Sequence, residues 1–199
     1  MIKQEIAGEK KYGINTTGAD ELYKLEKQGI DISHATIYMP VSYTLLEEAF
    51  KQLNFNKPQA HFLDIGCGKG RALCVAAHQG FKQVTGLDFA RDLCETAKEN
   101  LAITKQNIPA LEYKIINNDA FYFEIPDDVD CIFLFNPFDE IIMSAVVNNI
   151  FSSLQNNQRM ITIIYVNPLH KEYFLKAGFK ETLYSKKMKY LEASILKIN

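Results

Sequence analysis

The stretch His61-Phe-Leu-Asp64-Ile-Gly-Cys-Gly-Lys-Gly70 decides the fold of this 199-residue chain. Apolar residues lead into Asp64, glycine then occupies every second position, and the segment from Arg71 to His78 has the composition of a helix. A strand, a glycine-rich turn and a helix in this order begin an open α/β nucleotide-binding unit. We therefore expect the glycines to bring the backbone close to a ligand, and the helix start to offer that ligand unpaired N–H groups.

Apolar segments alternate with amphipathic segments along the rest of the chain. Strands are predicted at 61–65, 82–87, 113–117, 130–135 and 159–166, and helices at 70–79, 90–104, 139–154 and 168–177. This alternation predicts an α/β fold with a parallel sheet and helices on both of its faces. Residues 179–184 and 190–198 have the pattern of two strands joined by a polar turn at 186–189, which predicts a C-terminal hairpin.

The N-terminal region differs from this pattern. Residues 1–57 are predicted to form a short helical extension that covers the active site, and residues 58–199 to form the main domain. Three glycines interrupt the first 18 residues, which we expect to be extended or partly mobile. Helices are predicted at 19–28 and at 41–53, and the second has apolar residues at helical spacing.

Composition and charge narrow the classes of function. A net charge of −2 and a pI near 6.1 argue against a committed nucleic-acid partner. No apolar run reaches the roughly 18 residues of a membrane span, and the charged N-terminus lacks the apolar core of a signal peptide, so a cytoplasmic location is expected. The four cysteines form no C-x-x-C pair, which favours reduced thiols over a zinc site. Oligomeric state is not indicated.

Two cofactor motifs compete for the glycine turn. The dinucleotide fingerprint G-x-G-x-x-G would need its third glycine at position 71, which is Arg71. The D-x-G-x-G-x-G pattern from Asp64 to Gly70 instead resembles the first motif of class I S-adenosylmethionine (SAM) methyltransferases. The resemblance covers the chain from about residue 32 to the C-terminus. It implies a doubly wound, mostly parallel sheet of seven strands whose last strand is antiparallel.

The resemblance also implies roles for three carboxylates. Asp64 would face the ammonium group of SAM, Asp88 at the end of the second strand would accept hydrogen bonds from the ribose hydroxyls, and Asp119 after the third strand would accept one from the adenine amine. The residues by themselves leave open that Asp64 only caps the turn, that Asp88 is a solvated residue at a strand end, and that Asp119 is a helix N-cap. The expected cofactor contacts are Asp64, Gly66, Cys67, Gly68, Gly70, Asp88, Phe89, Asp119 and Ala120.

Two segments are candidates for the methyl-acceptor side. Asn136-Pro137-Phe138 resembles in part the N/D-P-P-Y/F motif of methyltransferases that modify amide or amino nitrogens, although it has one proline only. Tyr38-Met-Pro40 resembles the Tyr-x-Pro segment of Dot1-type lysine methyltransferases. In those enzymes this segment lies against the cofactor. Asn-Pro is also an ordinary turn signal, and Tyr38 has core packing as its alternative. The residues expected at the reacting end are Tyr38, Asn136, Pro137 and Phe138.

The sequence therefore predicts a SAM-dependent methyltransferase that acts on a nucleophile, with nitrogen favoured, of a protein or a small molecule. No metal is expected. The sulfonium is already activated, so positioning and desolvation can supply most of the catalysis, and a base is needed only if the acceptor has to lose a proton. The alternatives are a non-catalytic SAM-binding protein and an NAD-dependent oxidoreductase, which the position of Arg71 disfavours. Lys69 and Arg71 are themselves expected to be exposed at the helix start.

Overall fold

The structure is a computed structural model that describes residues 2–18, 27, 39–54, 56–135, 138–188 and 191–198. The strands are β1 His61–Ile65, β2 Gln83–Asp88, β3 Glu112–Asn117, β4 Val129–Phe135, β5 Ile161–Val166, β6 Lys180–Met188 and β7 Leu191–Ile198. The helices are α1 Ile2–Tyr12, α2 Tyr43–Lys51, α3 Arg71–His78, α4 Arg91–Asn107, α5 Glu140–Asn156 and α6 Lys171–Lys176, with a short 3₁₀ turn at Lys57–Gln59.

The seven strands form one sheet in the order β3-β2-β1-β4-β5-β7-β6. The pairs from β3 across to β5 are parallel, and β7 is antiparallel to both β5 and β6. The predicted fold class, including the antiparallel last strand, is confirmed. The five parallel strands lie within two residues of their predicted bounds.

Apolar side chains from β1 alternate between the two faces of the sheet. Phe62 packs in the cluster formed with α1 to α4, whereas Leu63 and Ile65 pack in the cluster formed with α5 and α6. This alternation follows from the two-residue period of a strand, and it explains why nearly every residue of the central strands is apolar. The helices therefore cover both faces, as predicted.

Parallel strands bring the segments that follow them to one edge of the sheet. In β1, Asp64 pairs with Gly86 of β2 on one side and with Phe133 of β4 on the other. The glycine turn, the end of β2 at Asp88 and the end of β4 at Phe135 consequently lie at the same edge. This is where the sequence places the cofactor.

The first residues of the chain are not extended. Residues 2–12 form α1, so the expectation of an extended or mobile segment is wrong. Gly8 lies directly against the ring of Tyr43 on α2, where any side chain at position 8 would collide with the ring. The glycine that was taken as a helix breaker is thus the contact that allows α1 to dock. Apart from Lys27, the helix predicted at 19–28 lies outside the described residues.

The C-terminal hairpin is longer than predicted. β6 extends to Met188, so the start of the polar turn predicted at 186–189 is wrong. Lys186 pairs with Glu192 across the hairpin, and their side chains form an ion pair that favours continued strand pairing. Among the described helices, none combines the length and the apolar character that a membrane span requires.

Candidate active site

The glycine turn after β1 adopts a conformation that side chains disfavour. Gly66, Gly68 and Gly70 have φ angles of 82°, 53° and 80°, all in the left-handed region. At Gly70 an added Cβ would also lie 3.1 Å from the Cβ of Ala97 on α4. Gly70 is therefore required both by the turn and by the close packing of α3 on α4.

The turn is closed onto the end of β2 by its own N–H groups. The N–H groups of Gly66 and Cys67 donate to the carbonyl of Leu87 at 2.8 and 2.9 Å. The N–H of Gly68 donates to Oδ2 of Asp88 at 2.8 Å. These three groups are used inside the protein, so the glycines contribute room for a ligand rather than hydrogen bonds. The first N–H groups of α3, which have no intrahelical partner, are those that remain for an anion.

Asp88 is the buried carboxylate that ends β2. It is 7% exposed, and its Oδ1 accepts a hydrogen bond from the N–H of Ala90 at 2.9 Å while Oδ2 accepts from Gly68. Burial raises its pKa to about 6, against the opposing effect of these backbone bonds. Each oxygen has a second lone pair, so the carboxylate can still accept two hydroxyl donors. Asn117 fixes this strand end by donating to the carbonyls of Asp88 and Phe89 at 3.0 and 2.8 Å.

Asp64 is the second buried carboxylate. It is 3% exposed, and it accepts no hydrogen bond from any residue that the structure describes. Burial, and then the charge of Asp88, raise its pKa well above the ordinary value. A buried carboxylate without a partner is costly, and a nearby cation would offset that cost. The two carboxylates beside a glycine cradle thus fit a ligand that carries a diol and a positive charge, which SAM does.

Cys67 lies within the turn, but its side chain points beneath it. A Cβ added to Gly86 of β2 would lie 2.9 Å from the Sγ of Cys67 and 2.5 Å from Cδ1 of Leu73. The space between the turn and β2 is therefore already filled. Burial, together with the charges of Asp88 and Asp64, raises the pKa of the Cys67 thiol and keeps it protonated. Only the backbone of Cys67 is then positioned to contact a cofactor, and the thiol has a packing role. All four cysteines are free and buried.

The residues expected at adenine lie after β2 and β3. Phe89 is half-buried and Ala120 is buried, whereas Asp119 is exposed. Oδ1 of Asp119 accepts a hydrogen bond from the N–H of Phe121 at 2.8 Å, so this carboxylate caps the turn. Its Oδ2 can still accept from an exocyclic amine. The rings of Phe121 and Tyr122 meet edge to face, with their centroids 4.9 Å apart. Two exposed aromatic rings therefore follow Asp119.

Tyr38, Asn136 and Pro137 lie outside the described residues. Phe138 is half-buried and packs against the cluster formed with α5 and α6. Oδ1 of Asp139 accepts hydrogen bonds from the N–H groups of Ile141 and Ile142 at 3.0 and 3.1 Å, which anchors the start of α5 immediately after this motif.

The expectation that Arg71 is exposed is wrong, because it is 2% exposed and bonded to the N-terminal region. Lys69 is half-buried, and its Nζ donates to the carbonyl of Thr17 at 3.2 Å. Two features of the sequence could have indicated that Arg71 is buried and paired with acidic residues. A cation at a helix N-terminus is unfavourable unless it has another partner, and Glu5 and Glu9 share one face of α1. Asn100, buried on α4, was also missed.

The central part of the chain matches a known protein family. Residues 62–157 match the family model described as a methyltransferase domain. No curated protein matches the chain.

Three solved structures share the fold. A SAM-dependent methyltransferase from Aquifex aeolicus is 13% identical, with 90% of this chain and 100% of that one covered and a TM-score of 0.61. A ribosomal protein L11 methylase from Lactobacillus delbrueckii subsp. bulgaricus is 16% identical, with 76% of each chain covered and a TM-score of 0.53. An RNA methyltransferase from Salinibacter ruber in complex with S-adenosyl-L-homocysteine is 13% identical, with 80% and 92% covered and a TM-score of 0.55. At these identities the likeness concerns the fold.

Residues 62–157 therefore match a methyltransferase domain, and the sheet has the seven-stranded fold of SAM-dependent methyltransferases. The family match supports SAM as the cofactor, and the Salinibacter ruber enzyme of the same fold is in complex with S-adenosyl-L-homocysteine. The similarity of Tyr38-Met-Pro40 to Dot1-type enzymes stays a prediction, as do the individual site residues.

Proposed function

We propose that this methyltransferase transfers the methyl group to a nitrogen nucleophile of a protein or a small molecule. The acceptor would approach between Tyr38 and the Asn136-Pro137-Phe138 motif. The observation that carries this proposal is the position of the motif in the chain. β4 lies beside β1 and ends at Phe135, the residue before the motif, at the sheet edge where Asp64 and the glycine turn lie.

SAM supplies an activated methyl group when bound. In the proposed arrangement Asp88 accepts hydrogen bonds from the ribose hydroxyls, and Asp64 offsets the positive charge of the ammonium or the sulfonium. Phe89 and Ala120 border the adenine, and Asp119 accepts from its amine. Asn136 would accept a hydrogen bond from the acceptor nitrogen and so orient its lone pair. We further propose that residues 1–57 cover the reacting groups and exclude water, which strengthens these electrostatic contacts.

Charge at the described part of the site edge supports a neutral or cationic acceptor. Asp119, Asp139 and Glu140 are carried by the segments that follow β3 and β4, whereas the cations Lys69 and Arg91 follow β1 and β2, on the side assigned to the cofactor. Lys171, after β5, is already paired with Glu181 at 2.8 Å. This distribution favours an amine or an amide over a polyphosphate backbone. The Salinibacter ruber structure is that of an RNA methyltransferase, so RNA is included among the acceptors to be tested.

The experiment is transfer of a tritiated methyl group from SAM into a fractionated cell lysate by the full-length protein. Wild-type protein should label the protein or the small-molecule fraction, Asn136→Ala should label it much less, and Asp88→Ala should label nothing at low SAM concentration. A matched change outside the site, Asp92→Asn on the exposed face of α4, should label as the wild type does. Label in the RNA fraction alone would contradict the proposed acceptor class.

A further inference from the structure

Arg71, the first residue of α3, bonds to three separate stretches of the N-terminal region. Its Nε donates to Oγ1 of Thr16 at 2.7 Å, Nη1 donates to the carbonyl of Val41 at 2.7 Å and to Glu5, and Nη2 donates to Oε1 of Glu9 at 2.9 Å. All four hydrogen bonds lead to residues that precede α2. The guanidinium thus joins the helix that follows the glycine turn to α1, to the segment just after α1 and to the residues just before α2.

The cluster around Arg71 is extensively bonded. Glu9 also accepts hydrogen bonds from the N–H of Thr16 at 2.8 Å and from the hydroxyl of Tyr43 at 2.8 Å. The guanidinium lies over the ring of Tyr43, 4.1 Å from its centroid. A planar group with several N–H donors can make these bonds and this stacking contact together, whereas an ammonium cannot. The site is therefore specific for arginine.

The same N-terminal stretch also reaches the glycine turn at Lys69. Nδ2 of Asn100 donates to the carbonyl of Asn15 at 3.1 Å and to the carbonyl of Lys69 at 2.9 Å. The Nζ of Lys69 donates to the carbonyl of Thr17. Residues 15–17 are thereby bonded, directly or through Asn100, to a residue inside the D-x-G-x-G-x-G motif.

We propose that Arg71 is a positioning residue for SAM binding, which holds α1 and residues 15–17 against the outer side of the glycine turn. The inference rests on the assignment of SAM to that turn. The three glycines adopt their left-handed conformations without strain, but they leave the backbone with more conformational freedom than other residues, so the shape of the turn depends on its surroundings. Because Arg71 and Lys69 adjoin the glycines, docking of α1 and binding of SAM become coupled. Such coupling is reciprocal, so SAM should in turn stabilise α1.

The test compares two ways of loosening α1. Arg71→Lys keeps the charge but loses the fork that reaches Thr16, Glu5 and Glu9. Glu47→Gln on α2 weakens a different anchor of the same helix, since Glu47 accepts from Nζ of Lys11 at 2.8 Å and from the hydroxyl of Tyr12 at 2.7 Å.

In calorimetric titrations of SAM into the full-length proteins, Arg71→Lys should bind SAM at least about fivefold more weakly, as expected for lost charge-assisted bonds. Glu47→Gln leaves the bonds of Arg71 in place, so α1 should stay docked beside the turn and this variant should bind SAM within about twofold of the wild type. Glu9→Gln is a milder change in the same cluster, and its affinity for SAM should lie between those of Arg71→Lys and Glu47→Gln. If Arg71→Lys does not fold, Glu9→Gln provides the test.

Hydrogen exchange supplies a readout that a purely structural role would leave unchanged. In the wild type, SAM should slow amide exchange in residues 66–70 and also in α1. In Arg71→Lys, SAM should still protect residues 66–70, and its effect on α1 should disappear. The inference would be overturned if Arg71→Lys and Glu9→Gln both bound SAM with wild-type affinity. It would also be overturned if Glu47→Gln lost as much affinity as Arg71→Lys. Either result would leave the cofactor assignment intact. Failure of the wild type to bind SAM would overturn the cofactor assignment and the inference with it.

Discussion

The backbone N–H of Gly68 donates a 2.8 Å hydrogen bond to Oδ2 of Asp88, and this bond connects the glycine turn after β1 to the carboxylate that ends β2. Ala90 donates to the other oxygen at 2.9 Å. The side chain that we assign to the ribose therefore also helps to keep the turn closed. Any change at Asp88 should affect the shape of the cradle as well as its hydrogen bonds to the ligand.

SAM affinity should fall as the pH is lowered through 6. The pKa of Asp88 is raised to about 6 in the folded protein, and hydroxyl donors favour its charged form, so binding should lower that pKa. Protonation then competes with binding, and affinity at pH 5 should be about tenfold weaker than at pH 7. Titration calorimetry at several pH values measures this directly.

The matching control for the pH experiment is Asp88→Asn, which cannot ionise. The titration of SAM itself is common to both proteins, so the difference between their pH profiles isolates Asp88. An identical pH dependence in wild type and Asp88→Asn would show that another group is responsible.

Asp64→Asn should stabilise the SAM-free protein at neutral pH while it weakens SAM binding. The pKa of Asp64 is raised in the folded state, so its contribution to stability is present below the ordinary pKa of a carboxyl group and is lost as the pH rises. Because the substitution removes a buried, unpaired charge, it should increase the free energy of unfolding at pH 7.5 by about 1–3 kcal/mol. Urea unfolding at pH 4 and pH 7.5 tests this, and the gain should shrink at pH 4. A variant less stable than wild type at both pH values would contradict it.

Gly70→Ala should cost more stability than Gly178→Ala. Both glycines have positive φ, 80° and 98°, so both variants incur backbone strain of about 1 kcal/mol or more. An added Cβ at Gly70 would also lie 3.1 Å from Ala97, whereas at Gly178 no atom lies within 4 Å. The Gly70 variant should lose roughly 1–3 kcal/mol beyond the control and should also bind SAM more weakly. Equal losses in urea unfolding would show that α4 does not constrain this position.

The sequence predicted the sheet well because the information for it is local. Residues 131–135 and 161–166 are almost entirely apolar, which is the signature of a strand buried on both faces. The turn from Asp64 to Gly70 and the strand end at Asp88 were equally predictable, since the backbone geometry of the turn restricts the residue type there.

The N-terminal region was predicted poorly because its structure depends on distant partners. α1 has low hydrophobicity and an internal glycine, and it is held by Tyr43 and by the ion pairs of Glu5 and Glu9 with Arg71. These contacts span more than 30 residues in the chain, so no local pattern reveals them. The burial of Arg71 was missed for the same reason.

The most direct test of the account is the affinity of Asp88→Ala for SAM, measured by calorimetry beside wild type, Asp92→Asn and an NAD titration. A charge-assisted hydrogen bond contributes roughly 1.5–3 kcal/mol, so Asp88→Ala should bind SAM about ten- to a hundredfold more weakly. Asp92→Asn should match the wild type, and NAD should not bind. Unchanged SAM affinity in Asp88→Ala would contradict the assignment of this carboxylate, and with it the placement of the cofactor over the turn from Asp64 to Gly70.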